Sequence, residues 1–287
     1  MAVASFPSPL VATRWLTEHL GEPGLVVVDA SWYLPAQNRS ATGEYQAGHI
    51  PGALFWNLDD LSDRSSTLPH MLADPASLAR SIGMLGIGNR DRVVVYDGSG
   101  ANLSAARIWW TFRVLGHDDV SVLDGGLGRW RANGGRLDAG GPPWAPRRFS
   151  ATPRPSLVSS MEQIRASLGP DGPALIDARS QGRFLGTEPE PRPGLRGGHI
   201  PGAVSLPYAE LVTPEGILLP PDELRRRFEA AGVVFSRPVV VSCGSGVSAC
   251  ALALGLEVLG HRDWTVYDGS WSEWGRPEGP PVETGSP

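Results

Sequence analysis

The chain repeats itself, because three short segments of its first half recur in the same order in its second half. Each recurs roughly 150 residues later, so the spacing is nearly constant. Ordered matches at constant spacing are typical of a duplicated domain. The paired segments are G-H-I-P-G-A at 48–53 and 198–203, V-V-V-Y-D-G-S-G at 93–100 with V-V-V-S-C-G-S-G at 239–246, and L-D-G-G-L-G-R-W at 123–130 with Y-D-G-S-W-S-E-W at 267–274.

A length of 287 residues also fits two domains. Glycine and proline are concentrated between residues 138 and 158, where neither a helical nor a strand period is visible. We therefore predict an N-terminal domain at 1–137, a linker at 138–158 and a C-terminal domain at 159–287.

Short apolar, β-branched runs in both halves predict buried parallel strands. Helical stretches lie between them, one beginning at Asp74-Pro75 and running to Leu85, another beginning with a capping box of Ser159 and Glu162. This alternation predicts an α/β fold with two tandem domains, each a mostly parallel sheet flanked by helices. The predicted strands are Leu25–Asp29, Arg92–Tyr96 and Val120–Leu123, then Ala174–Asp177, Pro238–Ser242 and Trp264–Tyr267.

The charge balance limits the possible partners. The 25 basic residues are all arginine, and 30 acidic residues give a net charge of -5, which disfavours a nucleic-acid partner. No apolar run is long enough to span a membrane, and the first residues lack the pattern of an export signal. We therefore expect a cytoplasmic protein without a membrane or nucleic-acid partner.

Cys243 is the residue that points most directly to chemistry. It follows an apolar strand, and Gly244, Ser245 and Gly246 then lead into a helical stretch. Ligands of parallel sheets bind beyond the carboxyl ends of the strands, and a curled glycine-rich loop at a helix start favours the thiolate. A small buried core cysteine is the alternative. For Cys250, which lies inside the helical stretch, we favour core packing over a resolving thiol.

The first half carries Asp97 at the position of Cys243. An acidic side chain cannot replace a sulfur nucleophile, so we expect Asp97 to cap its strand and the first half to be non-catalytic. A phosphatase is disfavoured because Ala249 stands where an arginine would clamp a phosphoryl group. The six histidines are scattered and the cysteine spacing fits no zinc pattern, so we expect no metal and no cofactor. His49 and His199, which recur in both halves, are interpreted as structural.

Together these motifs resemble the rhodanese superfamily over essentially the whole chain, most closely the branch that uses 3-mercaptopyruvate. The similarity includes the segments 29–35, 62–64, 70–72 and 182–192, and C-G-S-G-V-S at 243–248, where Ser248 replaces the threonine of that branch. The resemblance implies a catalytic set and a substrate-binding set. The first set is Cys243, Ser245, His70 and Asp59, and the second is Arg183, Arg192, Gly244, Gly246, Val247 and Ser248.

The implied activity is sulfur transfer in two half-reactions through a persulfide of Cys243, with a serine, histidine and aspartate relay and with arginines that hold the donor's carboxylate. The implied donor is 3-mercaptopyruvate, and the acceptor is a thiol, such as thioredoxin or a small dithiol, or cyanide. His70 capping a loop is an equally open interpretation of that residue. Two other functions stay open, a thiosulfate-using enzyme of the same fold and a non-catalytic persulfide carrier or docking module.

Overall fold

The computed structural model of the chain describes residues 6, 8–141 and 144–286. Its described residues divide into two compact units. The first unit contains the described residues within Met1–Arg64, Leu72–Arg154 and Pro214–Leu218, and the second contains those within Ser65–Met71, Pro155–Thr213 and Leu219–Pro287. Each unit thus includes one short segment from the opposite half of the chain, and the segment that carries His70 belongs to the second unit.

The first unit is a five-stranded parallel sheet with strand order β1-β5-β4-β2-β3. Valine-rich β2 and β4 are buried along their whole length and pair in register from Leu25 and Arg92 onward. The elements are β1 Leu10–Val11, α1 Thr13–His19, β2 Leu25–Asp29, α2 Ala41–Ala47, β3 Leu54–Phe55, α3 Pro75–Met84, β4 Arg92–Tyr96, α4 Leu103–Val114, β5 Val120–Leu123 and α5 Gly126–Ala132.

The second unit repeats this topology with strand order β6-β10-β9-β7-β8, again all parallel. Its core gathers apolar side chains of the sheet with Phe184, Trp271 and Trp274. The elements are β6 Val158–Ser159, α6 Met161–Ser167, β7 Ala174–Asp177, α7 Gln181–Leu185, β8 Val204–Ser205, α8 Pro221–Ala230, β9 Val239–Ser242, α9 Ala249–Val258, β10 Trp264–Tyr267 and α10 Ser270–Trp274. The predicted α/β fold is confirmed.

The helix starts agree with the sequence at α3 and differ by one residue at α6. Asp74 caps α3 by accepting the N–H groups of Ala76 and Ser77, with Pro75 in the first helical position. At α6 the expected box of Ser159 and Glu162 is wrong, because the capping pair is Ser160 and Gln163. Ser159 instead belongs to β6, whose pairing with β10 fixes its backbone.

Most of the predicted linker packs on the first unit. Phe149 is 6% exposed, the N–H of Thr152 donates to the carbonyl of Leu115 at 2.8 Å, and Arg154 forms an ion pair with Asp118. A glycine- and proline-rich composition therefore marks a segment without regular structure here, but one with buried and hydrogen-bonded contacts. The domain bounds remain a prediction.

Candidate active site

Cys243 lies at the carboxyl end of β9, the middle strand of the second sheet, and α9 begins six residues later. We call residues 243–248 the thiol loop. Cys243 is 1% exposed and Ser245 is 6% exposed, so the start of this loop is buried. Gly246 has φ +73, a left-handed conformation that a side chain would strain, which allows the chain to curl between strand and helix.

The Ser270 hydroxyl anchors the thiol loop by hydrogen bonds to its backbone. It accepts the N–H of Cys243 at 3.2 Å and that of Gly246 at 3.1 Å, and it donates to the carbonyl of Tyr267 at 2.7 Å. Ser270 is fully buried and has φ +48, a conformation that costs a non-glycine residue energy. The first half has Gly126, φ +53, at the same position of the repeat. The half with the thiol therefore keeps a strained serine where glycine would be relaxed.

Two carbonyl groups of the thiol loop, those of Cys243 and Gly244, also accept hydrogen bonds. The N–H of Trp271 donates to the carbonyl of Cys243 at 2.9 Å. Ser272 donates to the carbonyl of Gly244 through both its N–H, at 2.9 Å, and its hydroxyl, at 2.6 Å. Backbone donors and acceptors on one side of the loop are thereby satisfied, which fixes the position of the thiol.

Four other N–H groups of the thiol loop differ from these because they have no acceptor among the described residues. Within the part of the chain that the structure describes, the N–H groups of Gly244, Ser245, Val247 and Ser248 donate no hydrogen bond. Buried or half-buried N–H groups left without a protein acceptor form a site for an anion.

The equivalent loop of the first unit provides an internal control. Asp97 accepts the N–H groups of Ser99 and Ala105 at 2.8 Å each, and Ser31 accepts that of Gly98 at 2.9 Å. These contacts of Asp97 fit the interpretation of its side chain as a cap after the strand. Side chains therefore accept the N–H groups of Gly98, Ser99 and Ala101, whereas the N–H groups of the equivalent Gly244, Ser245 and Val247 have no acceptor among the described residues.

Arg183 and Arg192 both reach the thiol loop at Gly244. A Cβ atom added to Gly244 would lie 2.9 Å from Nη2 of Arg183 and 3.9 Å from Nη1 of Arg192. Nη2 of Arg192 also lies 3.5 Å from the hydroxyl oxygen of Ser245. Two guanidinium groups thus border the same side of the loop, an arrangement suited to a carboxylate or another anion.

A buried ion-pair network lies behind Arg183. Nη2 of Arg183 donates to Glu190 at 2.6 Å, and Arg179 donates to Glu190 and to Asp177 at 2.6 Å each. Burial alone would lower the pKa of Arg179, but the facing Asp177 and Glu190 outweigh it, and the pKa is raised. The Arg179 guanidinium also stacks 4.2 Å from the ring centre of Trp271, and the backbone N–H of Trp271 donates to the carbonyl of Cys243.

His70 meets the thiol loop at Ser245. Its Nδ1 lies 3.1 Å from the serine hydroxyl oxygen, although 175 residues separate the two in sequence. His70 is 7% exposed and has φ +59, so a strained backbone holds the ring in a buried position. Asp59 belongs to the first unit, where it accepts from Nε1 of Trp32 at 3.2 Å. Its part in a relay remains a prediction.

Cys250 behaves as a core residue. It is fully buried within α9, and its thiol donates to the carbonyl of Gly246 at 3.2 Å. His49 and His199 are buried as well, with Nδ1 bonded to the carbonyl of Tyr45 at 2.7 Å and of Phe184 at 2.9 Å, respectively. These contacts fit the structural interpretation of all three residues. In the described ranges no group of three or more metal-binding side chains is found, and no helix is long and apolar enough to cross a membrane.

Sequence reasoning missed Ser270 and Glu190. The signal for Ser270 was present, because the repeat differs at D-G-G against D-G-S just as it differs at Asp97 against Cys243. Glu190 lies within the segment 182–192 that carried the resemblance, but nothing in the sequence says that it is the partner of two arginines.

A cysteine in a curled loop at the end of the middle strand, on one of two duplicated α/β units, defines the class of protein. The rhodanese-like domain family matches residues 12–133 and 160–276. The chain belongs to the rhodanese family, and the predicted resemblance is confirmed.

Named relatives narrow the comparison. The chain is 43% identical to 3-mercaptopyruvate sulfurtransferase of Homo sapiens, over 97% of this chain and 96% of the relative. It is also 43% identical to thiosulfate/3-mercaptopyruvate sulfurtransferase 1, mitochondrial, of Arabidopsis thaliana, over 98% of this chain and 79% of the relative. The crystal structure of SseA from Escherichia coli, described among 3-mercaptopyruvate sulfotransferases, matches with a TM-score of 0.85 and 38% identity over 93% of this chain and all of that one.

Proposed function

We propose that the chain is a 3-mercaptopyruvate sulfurtransferase in which Cys243 carries the transferred sulfur as a persulfide. The observation that carries this proposal is the contrast between the two halves. Among the described residues, three N–H groups of the thiol loop beside Arg183 and Arg192 lack an acceptor at positions where side chains accept the equivalent N–H groups of the Asp97 loop. This contrast favours an anion at the thiol loop over one at the Asp97 loop.

In the first half-reaction the arginines hold the carboxylate of 3-mercaptopyruvate, and the Cys243 thiolate attacks its sulfur. A sulfur–sulfur bond forms, the carbon–sulfur bond breaks, and its electron pair passes into the enolate of pyruvate. The proton on the transferred sulfur ends on the enolate carbon, which gives pyruvate and leaves a persulfide anion. Free N–H groups of the loop stabilise that anion.

Ser245 and His70 are the groups proposed to move this proton. Their 3.1 Å contact supports a hydroxyl and imidazole pair with His70 as base, in which the hydroxyl either hydrogen-bonds to the developing enolate oxygen or relays the proton of the transferred sulfur to the enolate carbon. The resemblance also assigns Asp59 to the catalytic set. Capping a loop is the competing role for His70, and it predicts that His70→Asn lowers stability without changing the pH profile of kcat.

In the second half-reaction an acceptor thiol attacks the outer sulfur and leaves with it, which restores the Cys243 thiolate. Thioredoxin or a small dithiol is the proposed acceptor, and cyanide would leave as thiocyanate. A reactive thiol requires a reducing compartment, and we place the protein in the cytoplasm. The Arabidopsis relative is named as mitochondrial, so the mitochondrion is the alternative compartment to test against the cytoplasm.

Thiosulfate is the competing donor. The uncharged residues Gly244, Ser245 and Gly246 favour a carboxylate monoanion held by arginines outside the loop over a compact dianion that would need cations beside the thiol. A persulfide carrier is the competing function, and it predicts a persulfide that forms without turnover.

Intact-protein mass spectrometry after incubation with each donor tests these alternatives. We expect 3-mercaptopyruvate to add one sulfur atom to the protein and release one pyruvate, and thioredoxin or cyanide to remove that sulfur repeatedly. Cys243→Ser abolishes the mass gain, whereas Cys250→Ser keeps it because that thiol is a packing group. Equal loss in both variants would overturn the assignment of the nucleophile, and a persulfide that resists every acceptor would favour the carrier.

A further inference from the structure

Glu190 is a buried carboxylate shared by two arginines. Its side chain is 3% exposed, and it lies 2.6 Å from Nη1 of Arg179 and 2.6 Å from Nη2 of Arg183. Nε of Arg183 adds contacts of 3.2 Å to both carboxylate oxygens. The Nε and Nη2 edge of Arg183 is therefore used by Glu190, and Arg183 has only its remaining N–H groups to offer a substrate.

The charges of this network balance. Asp177 and Glu190 supply two negative charges, and Arg179 and Arg183 supply two positive charges, all within hydrogen-bonded contact. Because these groups are largely buried, solvent screens their mutual interaction weakly. Arg183 thus presents directed N–H donors at the thiol loop while Glu190 compensates its charge.

We propose that Glu190 is a specificity-determining residue that acts through Arg183, holding down the positive potential at the thiol loop so that monoanionic donors are preferred over dianionic ones. This inference rests on the proposed sulfurtransferase function and assigns its donor choice to one carboxylate. The potential at a site acts on a dianion twice as strongly as on a monoanion. When Glu190 compensates the charge of Arg183, the attraction of the site for thiosulfate is therefore reduced more than its attraction for 3-mercaptopyruvate.

The test is the ratio of kcat/KM for thiosulfate to kcat/KM for 3-mercaptopyruvate. Glu190→Gln keeps the shape and one acceptor oxygen but leaves the network with one uncompensated positive charge. We expect the ratio to rise by about tenfold, with thiosulfate improving in absolute terms. Glu190→Asp keeps the charge and should leave the ratio within about twofold of the parent even if both activities fall.

Glu188→Gln is the matched control, because Glu188 lies two residues away, is exposed and accepts from the Ser180 hydroxyl. If Glu190 had a merely structural role, Glu190→Gln would lower kcat/KM for both donors together and leave their ratio unchanged. Arg179→Gln makes the network one charge negative, so the ratio should fall, and this second variant gives the opposite sign in case Glu190→Gln is poorly folded.

A measurement that needs no turnover separates the two proposals. Sulfate, a dianion, and pyruvate, a monoanion, should each slow alkylation of Cys243 by iodoacetamide. Glu190→Gln should improve protection by sulfate more than protection by pyruvate. An unchanged ratio of protection by sulfate to protection by pyruvate overturns the inference. Absence of persulfide in the parent with either donor would instead overturn the proposed function, whatever the anions do.

Discussion

The hydroxyl oxygen of Ser270 lies 3.2 Å from the backbone nitrogen of Cys243, and the same oxygen accepts the N–H of Gly246. One side chain therefore ties both ends of the tightest part of the thiol loop. It does so from a left-handed backbone conformation, φ +48, that the equivalent Gly126 adopts without strain.

We expect Ser270→Gly and Ser270→Ala to lower kcat/KM for 3-mercaptopyruvate at least tenfold, because each hydrogen bond lost to the loop backbone is worth about 1 kcal/mol. The glycine variant relaxes the backbone strain and the alanine variant keeps it, so glycine should have the higher Tm by a few degrees. Differential scanning calorimetry and steady-state kinetics measure the two effects. Asn38→Gly, at φ +50 in the first unit, is the control that relaxes strain without touching the loop. Parent-like kinetics of Ser270→Gly would show that the hydroxyl does not position the thiol.

Arg192→Lys should impair the enzyme although it conserves charge. A single ammonium group cannot make the two parallel hydrogen bonds that a guanidinium makes to a carboxylate, so KM for 3-mercaptopyruvate should rise by about tenfold or more. Arg183→Lys should be impaired further, because it also loses the Nε contacts to Glu190. Unchanged KM values in both variants would mean that the carboxylate binds elsewhere. Arg165→Lys, in α6, is a suitable control.

Gly244→Ala should displace Arg183. The backbone of Gly244 lies outside the left-handed region, so a side chain is tolerated there, but its Cβ would come within 2.9 Å of Nη2 of Arg183. The guanidinium is the flexible end of a side chain and can shift, so we expect a folded protein with a several-fold higher KM. Gly128→Ala, whose Cβ would meet nothing within 4 Å, is the matched control. Equal KM values for the two variants would argue against contact between Arg183 and the substrate.

Two cations in the loop should change the preferred donor. In Gly244→Arg with Ser245→Lys, the new charges attract thiosulfate more than 3-mercaptopyruvate, and the Ser245 hydroxyl is lost. The kcat/KM ratio for thiosulfate over 3-mercaptopyruvate should rise about tenfold or more. A folded, persulfide-competent variant with the parent's ratio would contradict a role for loop charge in specificity.

Burial lowers the pKa of His117, with Asp119 opposing the effect. Because the folded protein then binds fewer protons than the unfolded chain, stability should be complete above the ordinary histidine pKa of about 6.5 and fall as the pH drops below it. The slope is at most about 1.4 kcal/mol per pH unit. His117→Phe, which can pack against the neighbouring Phe112 and Phe149, should flatten the pH dependence of the first unit's Tm between about pH 7.5 and 5.5. An undiminished slope would exclude His117 as its source, and His261→Gln provides the comparison.

The amino-acid sequence alone established the duplication, the α/β class and the central strands. The predicted bounds Leu25–Asp29 and Ala174–Asp177 match the structure, because a buried parallel strand is a local apolar run with local ends. It also singled out Cys243, since a strand, a glycine-rich turn and a helix follow one another along the chain. The one-residue error at Ser160 has a local cause too, as two serines in a row can each begin a capping box.

Which distant side chains meet could be seen only in the folded chain. The approach of His70 to Ser245, the anchoring of the thiol loop by Ser270 and the pairing of Glu190 with Arg179 and Arg183 all join separate elements. Packing of residues near Phe149 on the first unit likewise could not be read from a glycine- and proline-rich composition. Propensity and periodicity act over a few residues, whereas these contacts depend on how strands and loops far apart in the chain come together when each sheet forms.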